Sequence, residues 1–527
     1  MKMASTEAKR FFALREGKVS DSQQKAVVYG FLGLLIIYVV IRGVVGALWR
    51  PLWYDELYTL TIASQANLHD WWRAVQSGFD SAPPAFYLVE RAALHVTRHT
   101  ELNLRLPSIL AFPVTLVSIF IYARRRTGDI AALLCAMSLL PTLLFNIYTI
   151  EGRAYSMVIA CMAVALVCYQ RIGTRGWAVL FGLALVAAEL LHYFAVFAMI
   201  PFWIAEGVMV LRTRRFRWGV WLPLVCAMVP LIVFFPMLLR IKANYGPHVF
   251  ARPVFIAIEG YYAAYFLLNR NRLGIALVLL AIAAVIRSAL IARDAEHAEK
   301  TSVEETALLV SLVALPCIMF VPLKFMGGIL LNRYALVATL GVAVGMAMAF
   351  SNAGRKGIVI YGLLVVSVAG LGERSFWLRP EHYSFSPYFS ATSASALGGM
   401  KKVIEDAGRT TSPIVVSDCL LQAQFVYYFE PKLTDRMVYL LDPERELRVT
   451  KADTSSRTQL LFSKFFPLKV ANFSAFTSNH EEFLFYRGAL DWNTRVFLEN
   501  GYSMELLGAQ EGYGAVYLVK TTKGAPR

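Results

Sequence analysis

Apolar runs of about 20 residues, the length that crosses a bilayer as a helix, recur through the first two thirds of this 527-residue chain. That pattern admits a helical membrane protein and excludes a soluble globular one, because 57% hydrophobic content and a mean hydropathy of +0.52 exceed what one water-facing surface can hide. The formal charge of +16 suggests nucleic acid at first sight, but its distribution argues otherwise. From Glu373 onward 18 Lys+Arg face 17 Asp+Glu, so the excess sits in short loops between apolar runs. This is the positive-inside pattern, which makes membrane lipids the surroundings and gives no nucleic-acid partner. Cys135, Cys161, Cys168, Cys226 and Cys317 fall in apolar runs and only Cys419 in the polar tail, so no disulfide framework is implied.

The polar, basic residues 1–26 are expected in the cytoplasm, and a retained first span over 27–49 then delivers Arg50 to the outer face. Between Asp55 and Asn103 no run is long enough to cross, so two interfacial helices are expected, one from Asp55 and one opened by Pro83-Pro84. Spans over 104–123 and 129–150 then flank the basic loop Arg124-Arg125-Arg126 and return Glu151 to the face that holds Asp55. Later runs over 155–171, 177–192, 194–210, 219–239, 273–291, 306–325, 330–350 and 357–372 bring the expected total to about eleven, with strongly basic loops inside. An outer segment over 242–272 is expected to hold another interfacial helix near 254–268. The division is a membrane domain over 27–372, with 50–103 as its first outer loop, a linker over 373–395 and an extracytoplasmic α/β domain over 396–527. In that last domain helix-like segments alternate with strand-like ones at 413–417, 436–441, 483–486, 503–507 and 515–519. The fold class is thus a polytopic α-helical membrane protein with a C-terminal extracytoplasmic α/β domain.

Chemistry concentrates beside the first span. Trp49, Trp53, Tyr54 and Tyr58 hold Asp55 and Glu56 at the membrane edge, where a carboxylate can serve as a general base. The plainer role for the same pair is to open an interfacial helix against its dipole. The topology adds Glu151 and Arg153, His192 and Arg333 to that face, with Arg42, Arg105 and Lys324 as further cations. Each has an ordinary explanation: Arg333 and Arg105 as snorkelling cations, His192-Tyr193 as aromatic belt, Glu151 and Arg153 as turn solvation. Together, two acidic sites and several cations on one face suit departure of an anionic leaving group while an acceptor hydroxyl loses its proton. Arginine forks suit phosphate, so Arg153 and Arg333 are the candidate clamps. The sequence leaves open whether Asp55 or Glu56 is the base.

In their order and sidedness, Trp53-Tyr54-Asp55-Glu56-Leu57, Pro83-Pro84, Arg105-Leu106-Pro107-Ser108, Glu151-Gly152-Arg153-Ala154-Tyr155, His192-Tyr193-Phe194 and Arg333-Tyr334 resemble the GT-C glycosyltransferases over about 27–350. The nearest branches are the lipid A aminoarabinose transferases, the rhizobial lipopolysaccharide transferases and, more distantly, the protein O-mannosyltransferases. The resemblance implies an inverting glycosyltransferase at the outer face of a bacterial cytoplasmic membrane, taking a sugar from a polyprenyl-phosphate donor to an extracytoplasmic acceptor. Asp55 matches the family's first-loop catalytic aspartate and Glu151 a second acidic position, with Glu56 beside them. Arg153 and Arg333 match donor-phosphate positions, and Tyr155, His192, Tyr193, Tyr334 and Arg105 complete the substrate-binding set. Ala82 stands where many relatives carry His or Lys, so no donor or metal contact carries over there. With no close His/Cys cluster, no obligatory metal is expected, and a divalent ion stays open. The tail has no Gly-x-Gly-x-x-Gly fingerprint and is expected to serve acceptor binding or assembly. The competing classes are a transporter or flippase for lipid-linked sugars, which requires polar groups near the bilayer midplane, and a membrane-anchored binding protein.

Overall fold

The computed structural model describes residues 21–245, 248–249, 252–265, 279–287, 302–378, 393–510 and 514–521. Among them, Ser22–Trp49, Thr100–Thr127, Ala195–Thr213 and Gly354–Leu378 are helices long and apolar enough to cross a membrane. Two further pairs reach that length only together: Trp218–Val233 with Phe235–Tyr245, bent by 54°, and Val303–Val313 with Leu315–Met326, bent by 63°. Pro236 and Pro316 follow the two breaks, where a missing N–H and a bulky ring stop a helix from running straight. The described residues therefore hold four to six candidate spans by length and composition, against the eleven expected, and the expected run over 273–291 lies largely outside them.

Two other expected spans lose regular helix at one end. The run over 129–150 is one helix only over Asp129–Met137; a four-residue helix Leu143–Asn146 and a 3-10 turn Tyr148–Ile150 follow Pro141. The run over 330–350 starts with a 3-10 turn over Asn332–Ala335 and becomes helical at Ala338. Irregular backbone survives at such depth only when protein groups satisfy it. The last long helix departs in the other direction, continuing past residue 372 to Leu378. Its Glu373 accepts from Arg42 Nε at 3.3 Å and from the Tyr38 hydroxyl, while Arg42 also donates to Asn146 Oδ1 at 3.1 Å and lies over the rings of Phe145 and Phe376. A deep arginine and a deep glutamate thus neutralise each other inside the bundle.

The segment between the first two long helices forms Tyr54–Ala63 and Pro84–Ala93 as expected, with an additional helix, Leu68–Ser77, between them. That helix has its own local signals: Asn67 accepts from the Asp70 amide at 2.9 Å, and Gly78 closes it at φ +71°.

Beyond residue 393 the chain builds a six-stranded sheet in the order β3-β2-β1-β4-β6-β5, from β1 Ile414–Val416, β2 Met437–Leu441, β3 Val470–Asn472, β4 Glu482–Arg487, β5 Tyr502–Gln510 and β6 Gly514–Thr521. β3, β2, β1 and β4 run parallel, and the β5–β6 hairpin adds antiparallel to β4. Both faces are covered: Ile414, Val416, Leu484 and Tyr486 pack with Met400 and Phe425, while Val415, Phe483 and Phe485 pack with Phe473 and Phe497. A sheet buried on both faces explains why Ile414-Val415-Val416 reads as unbroken apolar sequence. β3 escaped the sequence reading because Val470-Ala471-Asn472, unlike Ile414-Val415-Val416, is not a run of β-branched apolar residues.

Helices Cys419–Tyr428 and Thr454–Phe462 dock this unit onto the start of the segment between the first two long helices. Leu52 N donates to the Tyr428 hydroxyl at 2.7 Å, Gln424 Nε2 donates to Leu52 O at 2.9 Å, and the Tyr54 hydroxyl donates to Gln459 Oε1 at 3.3 Å. Phe462, fully buried, meets the rings of Tyr58 at 4.5 Å and Phe79 at 5.3 Å. Phe462→Ala should cost about 3 kcal/mol, a typical large-to-small core penalty, read as a lower unfolding midpoint of the protein in nanodiscs. An unchanged midpoint would show that this contact does not hold the two parts together.

Candidate active site

Asp55 and Glu56 occupy the first turn of helix Tyr54–Ala63, but their side chains have different fates. Glu56 turns inward and is fully buried. Its Oε1 accepts from Arg105 Nε at 2.7 Å and Gly152 N at 2.8 Å; its Oε2 accepts from Arg105 Nη2 at 2.7 Å and Trp53 N at 3.1 Å. Burial alone would push the Glu56 carboxyl up, but the Arg105 guanidinium and these donors hold it below its usual range. Arg105 spends its remaining N–H groups on the carbonyls of Ala47 at 2.8 Å, Arg50 at 2.5 Å and Pro51 at 2.9 Å. Both residues were candidates for direct work on substrate; the geometry instead commits them to each other and to the end of the first span.

Asp55 faces the other way, partly open, with Oδ2 at 3.2 Å from Arg333 Nη2. Both side chains keep 17% of their surface exposed. Arg333 sits in the 3-10 turn Asn332–Ala335, within 6 Å of the Trp53, Tyr155 and Tyr334 rings, and its buried Nε has no hydrogen-bond acceptor among the described residues.

Arg153 differs from the expectation of a free phosphate clamp. Its Nη1 and Nη2 form a fork on Asp80 at 2.5 and 2.8 Å, and Nη1 also reaches Thr59 Oγ1 at 2.9 Å and the Asp55 carbonyl at 3.2 Å. It grips the backbone that carries Asp55 rather than opening toward solvent, since only 4% of it is exposed. Asp80 was missed in the sequence, although an aspartate three residues before Pro83-Pro84 in an otherwise neutral stretch was a visible signal.

Glu151 lies beneath this layer, 1% exposed, accepting from Trp53 Nε1 at 2.9 Å. Burial pushes its carboxyl up to about 7, against the pull of Arg50. Gly152 is required here by a close approach: a Cβ would lie 2.7 Å from the Leu104 side chain and 2.9 Å from its carbonyl oxygen. Tyr155, His192 and Tyr334 form one aromatic wall, with His192 5.3 Å from Tyr155 and 5.6 Å from Tyr334, and Phe194 stacked on Tyr334 at 4.0 Å. His192 Nδ1 accepts from Phe194 N at 3.1 Å. Tyr193, expected in the same set, packs on Phe234 on the other side of the chain, because adjacent residues of an extended step point apart. A small pocket is lined by Arg333, Tyr334, Tyr155 and His192 together with Val158, Ala198 and Val337. No group of three or more His, Cys, Asp or Glu side chains among the described residues is placed to hold a metal. Asp55 and Asp80 each face an arginine instead, so no step is assigned to a metal ion.

Two stability outcomes follow from this wiring. Glu56→Gln strands the buried Arg105 charge and should cost about 3–5 kcal/mol, seen as a large fall in unfolding midpoint, whereas Asp55→Asn at the exposed edge should change it little. Because the folded state holds the Glu151 proton above its ordinary 4.5, wild type should lose stability as pH rises from about 4.5 to about 7, then level off. Glu151→Gln should flatten that slope in unfolding measured across the window; an identical slope would assign it to another group.

The family model described as dolichyl-phosphate-mannose-protein mannosyltransferase matches residues 81–239. No curated protein sequence gives a significant match. Among solved structures, ArnT from Cupriavidus metallidurans bound to undecaprenyl phosphate aligns at 14% identity over 93% of this chain and 98% of its own, with a TM-score of 0.52. The apo state of the same protein aligns at 14% identity over the same shares with a TM-score of 0.45. The Archaeoglobus fulgidus oligosaccharyltransferase in complex with Zn and sulfate aligns at 11% identity over 91% of this chain and 72% of its own, with a TM-score of 0.40. The family model thus matches a part of the chain, residues 81–239, and the fold over nearly the whole chain is similar to that of ArnT.

Proposed function

We propose that the protein is an inverting glycosyltransferase that moves a sugar from a polyprenyl-phosphate donor to a hydroxyl of an extracytoplasmic acceptor. The observation that carries this reading is the Asp55–Arg333 pair, a carboxylate and a guanidinium 3.2 Å apart at the open edge of an otherwise closed charge network. Arg333 has one contact to Asp55 and an unfilled Nε, so a phosphate can take its fork while Asp55 is released to an acceptor hydroxyl. Asp55 accepts the hydroxyl proton as oxygen attacks the anomeric carbon from the face opposite the phosphate. The C–O bond to phosphate breaks, and Arg333 stabilises the charge arriving on the leaving oxygen. The small pocket lined by Arg333 also touches apolar Val158, Ala198 and Val337, a mixed lining in keeping with a phosphate carried on an apolar chain.

In this reading Glu56, Arg105, Arg153 and Asp80 are positioning residues, and Tyr155, His192 and Tyr334 wall the donor head. The domain division proposed from the sequence places 27–372 and the eleven-span topology in the bacterial cytoplasmic membrane, with 50–103 and 396–527 outside. The transporter alternative gains little from Arg42, the main ion that the sequence places deep, because it is bound to Glu373 and Asn146.

With a panel of radiolabelled polyprenyl-phosphate sugars and a host lipid extract, wild type in nanodiscs should release label from one donor. Asp55→Asn should slow that release by about a hundredfold or more, the usual scale of a lost general base, while retaining undecaprenyl phosphate binding. Full transfer by Asp55→Asn would remove the central assignment. Unused donors together with leaflet exchange of labelled lipid in proteoliposomes would favour the flippase.

A further inference from the structure

Arg333 lies on a stretch of backbone that no regular structure supports. Helix Leu315–Met326 ends at Gly327, φ +67°, and residues 328–331 are irregular before the 3-10 turn. Carbonyls in such a stretch need partners, since water is scarce at an interfacial, protein-packed site. Two come from one short element outside the site, which also binds the end of helix Val303–Val313. Along helix Ile256–Tyr265, the Tyr261 hydroxyl donates to Leu330 O, the Tyr262 hydroxyl to Val313 O at 2.5 Å, and the Tyr265 hydroxyl to Asn332 O at 2.9 Å.

These acceptors are not scattered. Val313 immediately precedes the 63° break that turns the chain toward the site, Leu330 lies two residues before Asn332, and the Asn332 carbonyl belongs to the peptide bond that joins Arg333. Tyr262 and Tyr265 are buried, so these bonds are shielded from exchange with water. Spacing supplies the geometry: 261 and 265 lie one helical turn apart and share a face, and 262 is displaced by about 100° toward the break. Phenol hydroxyls donate to carbonyls without adding charge near a phosphate, and their rings anchor the helix by burial.

We infer that Tyr261, Tyr262 and Tyr265 are positioning residues that set the Arg333 backbone opposite Asp55 and thereby control affinity for the donor phosphate. This rests on the donor reading of Arg333 above. A misplacement of the Arg333 backbone would act on phosphate recognition first, because the arginine fork is directional.

The test uses full-length protein in nanodiscs, with undecaprenyl phosphate as the binding probe and label transfer as the activity. Tyr261→Phe/Tyr265→Phe keeps the rings and removes two hydroxyls; it should weaken undecaprenyl phosphate about tenfold and raise KM for the donor more than it lowers kcat. Arg333→Ala should weaken the probe at least as much, and adding both tyrosine changes to it should produce little further loss. That non-additivity separates positioning through Arg333 from a general packing role, which would add. If Arg333→Ala weakens the probe but the tyrosine pair leaves affinity and KM unchanged, or if the losses add in full, the positioning role is wrong and the donor reading stands. If Arg333→Ala itself leaves probe affinity unchanged, the donor reading of Arg333 fails and takes the positioning role with it.

Discussion

The region around Asp55 depends on one buried ion pair. Arg105 on the second long helix and Glu56 on the first interfacial helix bond to each other through two N–H···O contacts while both are fully buried. Removing two charges from water costs several kcal/mol per ion, and their attraction offsets that only when the other bonding positions are filled. Here they are: Gly152 and Trp53 amides complete Glu56, and the Ala47, Arg50 and Pro51 carbonyls complete Arg105. The pair thereby joins the end of the first span, the start of the interfacial helix, the second long helix and the 151–153 turn. Asp55 has a defined place because its neighbour in sequence is locked.

Around that lock, the charged groups fall into two kinds. Those paired in full burial, Glu56 with Arg105 and Asp80 with Arg153, build the scaffold. Asp55 and Arg333, joined by one contact at the surface edge, keep bonding capacity for a ligand. Their chemistry is thus separated from their support. The C-terminal unit extends the support from the outside, since Tyr428 and Gln424 bond both the amide and the carbonyl of Leu52, three residues before Asp55.

Irregular backbone recurs wherever the site is built. The 3-10 turns at Tyr148–Ile150 and Asn332–Ala335 interrupt stretches that hydropathy alone reads as continuous spans. A helix would direct these side chains around a cylinder, whereas a turn can point Arg333 across a gap at Asp55. The backbone groups released by that choice are taken up by side chains, among them the tyrosines of Ile256–Tyr265.

Much of the protein was legible in its sequence because the controlling signals are local or additive. Apolar composition established membrane residence, Pro83-Pro84 marked a helix start, and the alternation of apolar runs after residue 393 announced an α/β unit. The order of short motifs pointed to a GT-C-like chain, and two residues grouped together from the sequence, Asp55 and Arg333, stand 3.2 Å apart. Pairing could not be read this way. That Arg153 would meet Asp80, that Arg105 would choose Glu56 over Asp55, and that Tyr193 would turn away from His192 depend on separations of up to 73 residues and on side-chain directions. Nor could hydropathy locate the helix breaks, since an apolar run looks the same whether its backbone is straight or interrupted. The sequence determined which charged groups the chain carries beside its first long helix; only the tertiary structure decided which of them pair in full burial and which pair at a partly open edge, because buried charge is tolerated only when its partners converge in space.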